Sequence, residues 1–213
     1  MNVSPSKENI LKKIRKALSS STPIPFLQSE GNSSVFQPSR QELEVQFAEE
    51  FTNLKGKFVY CMNKEELADQ LSQLAASNHW EKLFCSEINL RDNFANTLGR
   101  WYTDDLKNCD ASITSCECLV ARTGTIVMSA GQESGRTVSV YAPIHICIAY
   151  AKQLVYDVKD GLLFMKDKYG HNLPSMITFA TGPSRTADIE KTLVVGVHGP
   201  KEVYCFLVDD SND

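Results

Sequence analysis

Short apolar runs alternate with amphipathic helical segments along much of the chain, and this alternation constrains the fold more than any other feature. Lys57–Cys61 has the composition of a strand. Asn63 is a predicted cap for a helix that continues to about Ser77, and Lys82–Cys85 is a second short strand before a weaker helical stretch over 88–98. Strands that alternate with helices form parallel sheets flanked by helices. We therefore predict an α/β fold with a largely parallel central sheet.

The second half of the chain is richer in short apolar and β-branched runs, separated by polar or glycine-containing breaks. These runs favour strands over helices because of their length. The predicted strands are 111–114, 118–121, 125–129, 138–141, 145–149, 176–180 and 202–208, and helices are predicted over 39–54 and 157–167.

The N-terminal segment differs from the rest of the chain. Ser6–Leu18 has isoleucine and leucine at helical spacing and lysine and arginine on the other face, which predicts a basic amphipathic helix. Residues 19–38 are rich in Ser, Pro, Gly and Asn and have the composition of a linker. We therefore predict an N-terminal helix and linker over 1–38 and a single α/β domain over 39–213.

Charge and cysteine usage limit the class of protein. The net charge of −4 disfavours a nucleic-acid-binding protein, because there is no basic excess to neutralise phosphates. No stretch has the length and apolarity of a signal peptide or a membrane span, and the seven cysteines are typical of a reducing compartment, so we expect a cytoplasmic protein. Cys116 and Cys118 lack a second pair at metal-binding spacing, and no metal site is predicted.

A turn rich in small and polar residues follows the predicted strand 176–180. Gly182 is followed by Pro183, Ser184, Arg185 and Thr186, so that free backbone N–H groups, two hydroxyls and one guanidinium can face the same side. Such groups bind anions. The sequence therefore predicts an anion-binding edge.

A second glycine-rich turn lies close behind the first. It contains Gly196, His198 and Gly199, and two such turns beside apolar strands place Arg185, Asp188 and His198 at one end of a sheet. His198 and Asp188 are candidate acid–base groups. The plainer interpretation is that both turns only connect strands and that Asp188 begins a helix, where the dipole favours a carboxylate.

Two further turns supply candidate ligand-binding groups. The turn Thr123, Gly124 and Thr125 offers hydroxyls, and Arg136 offers a second guanidinium that binds a carboxylate or phosphate in bidentate fashion. Alternatively, the loop before Arg136 is a surface hairpin and its side chain is solvated. Two other histidines are weaker candidates: the apolar neighbours of His145 favour a hydrogen-bonded sheet residue, and His171 lies in a loop.

Two C-terminal motifs resemble a known family. Gly182–Glu190 (GPSRTADIE) and Leu193–Pro200 (LVVGVHGP) are similar to the C-terminal signature of the lactate-utilisation protein C family, which carries the LUD domain. The N-terminal helix and the Thr-Gly-Thr turn also match that family, so the resemblance covers nearly the whole chain. One departure is Arg122, because many relatives have Glu directly before the turn. Glu117, five residues earlier, is the nearest preceding carboxylate.

The resemblance implies both a fold and a role. The fold is similar to that of the sugar-phosphate isomerase, glucosamine-phosphate deaminase and CoA-transferase group. The role is in oxidising L-lactate to pyruvate together with iron–sulfur partner proteins, with the clusters in those partners and no cofactor in this chain.

Three hypotheses follow. The first is a component of a lactate-oxidising complex whose glycine-rich edge binds a small anion. The alternative is a transferase or isomerase acting on a phosphorylated or CoA-linked small molecule, with His198 or Asp188 as the acid–base group. A third is a homo-oligomer in which the N-terminal helix packs on another subunit.

Overall fold

A computed structural model describes residues 5–19, 41–189 and 192–209. The chain divides into two compact units, Met1–Pro38 and Ser39–Asp213. In the first unit, helix α1 (Pro5–Ser19) confirms the predicted N-terminal helix, and the apolar side chains of Ile10 and Ile14 are exposed. The rest of the predicted linker lies outside the described residues.

The first part of the second unit follows the predicted alternation. Asn63 accepts a hydrogen bond from the Glu66 N–H and caps the second helix of this unit, as predicted. The elements are α2 (Leu43–Asn53), β1 (Lys57–Cys61), α3 (Lys64–Ser77), β2 (Leu83–Phe84), α4 (Ile88–Asn93), α5 (Ala95–Leu98) and β3 (Tyr102–Thr103), with a 3-10 turn at Gly99–Trp101.

The second part contains most of the strands. Its elements are β4 (Ala111–Ser115), β5 (Cys118–Val120), β6 (Thr125–Ser129), α6 (Val138–Tyr141), β7 (Ile144–Tyr150), β8 (Leu154–Val155), α7 (Val158–Tyr169), β9 (Ile177–Ala180), β10 (Arg185–Ile189), β11 (Thr192–Val195) and β12 (Glu202–Val208). Further 3-10 turns span Leu106–Asn108, Ala121–Thr123 and Ala151–Gln153.

The central sheet has six strands in the order β1-β12-β7-β4-β2-β3. Every adjacent pair is parallel. This confirms the predicted α/β fold with a largely parallel central sheet flanked by helices.

A second sheet has the order β8-β5-β6-β9, and β10 and β11 form a separate antiparallel hairpin. Strand β6 is antiparallel to both of its neighbours, and β8 is parallel to β5. The sequence predicted these strands but not their division into a second sheet.

Side chains alternate between the two faces of each sheet and so form three layers of core. One face of the central sheet packs on α3, α4 and α5. The other face packs on the second sheet, with Phe47 and Phe51 of α2 in the same layer. The outer face of the second sheet is covered by Met165 of α7.

The predicted strand over 138–141 is wrong, because these residues form the helical turn α6. The N–H groups of Val140 and Tyr141 donate to the Thr137 carbonyl. The Ser112 hydroxyl of β4 donates to the Val138 carbonyl, so the segment packs across β4 rather than beside it. Valine and tyrosine favour strands only where a neighbouring strand pairs with them.

Candidate functional site

A cleft of about 310 Å³ lies at the amino ends of β7 and β12, beside β9 and the two glycine-rich turns. This differs from most open α/β sheets, in which ligands bind at the carboxyl ends of the strands. The described residues that line the cleft include no carboxylate. They are Met128, Ser139, Val140, His145, Thr178, Ala180, Thr181, Gly182, Pro183, Ser184, Arg185, His198, Gly199, Pro200 and Val203.

The two glycine-rich turns meet at Ser184. The Ser184 N–H donates to the Pro200 carbonyl, and the Ser184 carbonyl accepts from the Gly196 N–H, both at 3.0 Å. A β-carbon at Gly199 would lie 3.1 Å from the Ser184 β-carbon, which is closer than an ordinary carbon–carbon contact, so a larger residue would require Ser184 to shift. The two turns thus lie side by side, and Gly182, Ser184 and Gly199 line one cleft.

Arg185 lines the cleft and also contacts the C-terminus of α2. Its guanidinium donates to the Leu54 carbonyl, where the helix dipole favours a cation. Gly182 has a φ of 81°, and a β-carbon there would lie 2.7 Å from the same carbonyl. An arginine side chain has five N–H donors, so this contact leaves donors for a ligand.

Two histidines line the cleft in different environments. His198 is exposed, whereas His145 is only 1% exposed and its Nε2 lies 2.8 Å from the Thr114 Oγ1. Burial lowers the pKa of His145 to about 4, so its imidazole is neutral near pH 7. The interpretation of His145 as a hydrogen-bonded sheet residue is therefore confirmed, but sequence reasoning missed that it also lines the cleft. The local signal for this is that His145 is the second residue of β7 and so lies at the amino end of that strand.

The Thr-Gly-Thr turn lies behind the cleft rather than in its wall. The Thr125 hydroxyl is 2.8 Å from the Thr123 hydroxyl and 2.9 Å from the hydroxyl of Thr181, which does line the cleft. Gly124 has a φ of 56°, and a β-carbon there would lie 2.5 Å from the Phe51 backbone nitrogen. The turn thus packs against α2 and contacts the cleft through one side chain.

The other predicted ligand-binding residues lie outside the cleft wall. Arg136 is exposed, and its guanidinium donates to the Ser175 hydroxyl at 2.5 Å. Thr186 pairs with Val194 in the β10–β11 hairpin, and Gly196 supports Ser184 through its N–H.

Asp188 lies in strand β10, so the alternative that it begins a helix is wrong. Backbone pairing with β11 holds this segment extended. The side chain of Asp188 is outside the described residues.

Arg122 and Glu117 occupy opposite ends of β5. Arg122 forms an ion pair with Asp157 at 2.6 Å, and Asp157 also caps α7 by accepting the Lys159 N–H. Burial acts to raise the pKa of Asp157, but the hydrogen bond and charge of Arg122 and the N–H groups of Lys159 and Val158 together outweigh burial, and the pKa lies below its ordinary value. Arg122 thus pairs with the N-cap residue of α7 and does not line the cleft.

Glu117 is the centre of a buried polar cluster at the other end of β5. Its carboxylate accepts from the Ser129 hydroxyl at 2.5 Å, the Tyr169 hydroxyl at 2.7 Å and the Lys168 ammonium at 2.7 Å. Glu117 therefore does not occupy the place of the carboxylate that many relatives carry before the Thr-Gly-Thr turn.

Neither a metal centre nor a membrane-spanning helix is found in the described ranges. There, no group of three or more His, Cys, Asp and Glu side chains is arranged to hold a metal ion. None of the helices in those ranges is long and apolar enough to cross a bilayer. The expectation that this chain carries no cofactor stays a prediction.

The fold and the cleft together define an α/β protein with a parallel six-stranded sheet and a glycine-lined site at its amino edge. The sequence model of the LUD domain matches residues 45–208. The chain therefore belongs to the LUD domain family.

Relatives with established names agree with this family. The chain is 37% identical over 116 residues to lactate utilization protein C of a Geobacillus species, covering 54% of this chain and 48% of the relative. It is 29% identical over 192 residues to lactate utilization protein C of Anoxybacillus flavithermus, covering 83% and 86%. In several of these alignments the chain spans about half the length of the curated relative.

A solved structure has a similar fold. The crystal structure of a DUF162 family protein from Deinococcus radiodurans superposes with a TM-score of 0.62 and 20% sequence identity, covering 81% of this chain and 99% of that one.

Proposed function

We propose that this protein is a component of an L-lactate utilisation system and that its cleft binds a small anion of that system. The observation that carries the proposal is the convergence of Ser184, Arg185 and Gly199 on one cleft whose described lining has no carboxylate. One fixed cation and several hydroxyls suit a ligand with a single charged group. The names of the relatives support the lactate role.

The proposal includes partners and a location. We expect the chain to act in the cytoplasm with iron–sulfur proteins that carry out the electron transfer of lactate oxidation, and homo-oligomerisation is compatible with this role. Co-purification of the full-length chain with such proteins tests this part. Separate elution when all components are present would contradict it.

An enzyme acting on a phosphorylated or CoA-linked small molecule is the second candidate. The observation that favours it is the presence of two imidazoles, His145 and His198, in the wall of the same cleft as Arg185. Under this hypothesis His198→Ala abolishes turnover, whereas His171→Ala, in an exposed loop, retains it.

A thermal-shift screen tests the anion site. The panel contains L-lactate, pyruvate, sugar phosphates, nucleotides and CoA esters. A ligand that binds only the folded chain raises the Tm by roughly 5–10 °C at about one hundred times its Kd. We expect Arg185→Ala to lose most of this ligand-induced shift.

Arg136→Ala is the matched control for that screen. Arg136 is also exposed and also donates to one oxygen, but it lies outside the cleft wall. Each variant is compared with its own ligand-free Tm, because Arg185 also contacts the C-terminus of α2. Equal shifts in Arg185→Ala and Arg136→Ala would refute the anion site.

A further inference from the structure

A groove distinct from the cleft lies between α2 and β1, the strand at one end of the central sheet. Its volume of about 790 Å³ is more than twice that of the cleft, and no described residue lines both. Its walls are largely apolar, and Val45 and Tyr60 in them are 44% and 45% exposed. Exposed apolar side chains that share one hollow are typical of a surface that binds another element.

The charged residues of this groove are acidic. Glu42, Glu44 and Glu49 belong to α2 or to its N-cap position, and Asp209 directly follows β12. The Tyr60 hydroxyl donates to the Asp209 carboxylate at 3.1 Å. No lysine, arginine or histidine is among the described residues that line the groove. Its charge and its apolar walls therefore suit an apolar segment that is flanked by cations.

Helix α1 has this complementary pattern. Ile10 and Ile14 lie one turn apart, and their side chains are 56% and 48% exposed. Because an α-helix turns by about 100° per residue, Lys13 and Arg15 project on opposite sides of this apolar pair. Both cations are exposed. The helix thus presents an apolar stripe with a positive charge on each side.

The spacing of the apolar groups also agrees. Ile10 and Ile14 are about 6 Å apart along the helix axis. Phe58 and Tyr60 are alternate residues of β1, so they lie on the same face of the strand and about 7 Å apart. Two apolar side chains of the helix can therefore contact two aromatic side chains of the groove.

We propose that the groove is the docking site for α1 of a second copy of this chain. The apolar pair Ile10 and Ile14 packs in the groove, and Lys13 and Arg15 face its carboxylates. Each copy has one such helix and one such groove, so two copies that exchange their helices form a closed dimer with two-fold symmetry. Burial of apolar surface supplies the affinity, and the charges set the orientation of the helix.

Reversal of the charges on the two sides tests the proposal. One variant carries Lys13→Glu and Arg15→Glu, and the other carries Glu42→Lys and Glu49→Lys. In sedimentation velocity of the full-length protein, the wild type should have the mass of two chains. Either variant alone should have the mass of one chain, because like charges then face each other in both interfaces. An equimolar mixture of the variants should form dimers again, since every helix then meets a groove of opposite charge.

Lys159→Glu combined with Lys166→Glu is the matched control. Both lysines are exposed on α7 and lie outside the groove, and the change in net charge equals that of the helix variant. This control should remain a dimer. Circular dichroism of each variant checks that the exposed substitutions leave the fold intact.

A measurement on the unmutated protein separates docking between copies from docking within one chain. A carbodiimide joins lysine amines to carboxylates that contact them. After subunit exchange between ¹⁴N- and ¹⁵N-labelled protein, cross-links between Lys13 and the carboxylates of the groove should join chains of different label. A wild type that sediments as a single chain, a variant mixture that stays monomeric, a control that dissociates or cross-links confined to one label would each overturn the proposal.

Discussion

The Glu117 carboxylate shows how a single buried charge is held in this protein. Glu117 is 1% exposed, and three donors from β6 and α7 surround its carboxylate. Burial acts to raise its pKa, but the hydrogen bonds from Lys168, Ser129 and Tyr169 outweigh burial and hold the pKa below its ordinary value. The charged form of Glu117 therefore stabilises the fold.

This charge makes stability depend on pH in a defined direction. The folded pKa of Glu117 lies below that of the unfolded chain, about 4.3, so its contribution is present above that pH and is lost as the pH falls through the folded pKa. We expect Glu117→Gln to lower the free energy of unfolding by about 2–4 kcal/mol at pH 7. In urea titrations the difference from wild type should shrink as the pH falls below about 4.

Glu202 provides the matched control. It pairs with Lys57 at the same 2.7 Å, but the two side chains are 48% (Lys57) and 41% (Glu202) exposed. Glu202→Gln should therefore cost at most about 1 kcal/mol. Equal losses in the two variants would show that burial does not set the strength of the Glu117 interaction.

Local sequence signals account for which predicted site residues lie in one cleft, and the roles of these residues stay predictions. Ser184, Arg185 and His198 follow glycine-rich turns that are visible in the sequence, and all three line the cleft. The place of His145 in the cleft wall and the partners of Glu117 were not predicted. His145 on β7 contacts Thr114 on the neighbouring strand β4, and Glu117 contacts α7 some fifty residues later in the chain. Nothing in local spacing encodes such contacts.

At the level of elements, helices and strands with strong local patterns were predicted well. Strands β1 and β12 have the predicted bounds, and α3 begins after its predicted cap. The second sheet was not predicted, because short runs such as Cys118–Val120 do not reveal which strands they pair with. The segment Val138–Tyr141 was predicted wrongly for the same reason: strand formation depends on a neighbour.

The contact between the Thr-Gly-Thr turn and α2 yields a prediction about packing. A β-carbon at Gly124 would meet the backbone of α2 at 2.5 Å, and the φ of 56° is itself unfavourable for alanine. We expect Gly124→Ala to lower the free energy of unfolding by about 2–4 kcal/mol in chemical denaturation.

The variant Gly135→Ala measures how much of the loss in free energy of unfolding comes from the backbone conformation alone. It has a similar φ of 62°, but no atom lies within 4 Å of the position that a β-carbon would take, so Gly135→Ala should cost only about 1 kcal/mol. If Gly124→Ala lowers the free energy of unfolding by no more than Gly135→Ala does, the turn does not pack closely on α2.

At the level of the whole molecule, the seven cysteines report on the integrity of the fold. All seven are buried and free. Burial raises the pKa of Cys61 and Cys85 to about 11 and that of Cys118 to about 12. The reactive form of cysteine is the thiolate, so these side chains are protected twice, by lack of access and by protonation.

We expect an aromatic disulfide reagent at pH 8 to modify all seven thiols in denaturing guanidinium and almost none in the native protein over the same time. Native-state modification should proceed only at the rate of unfolding. One thiol that reacts rapidly without denaturant would place that cysteine at an accessible surface.

The position of β12 in the central sheet has a consequence for biosynthesis. β12 inserts between β1 and β7, and it is the neighbour that the described pairing assigns to β1. While the ribosome is still translating the segments before Glu202, β1 and β7 therefore present unpaired edges in the nascent chain. Among the strands that the structure describes, the central sheet is therefore continuous only after β12 has been synthesised and has paired with both neighbours.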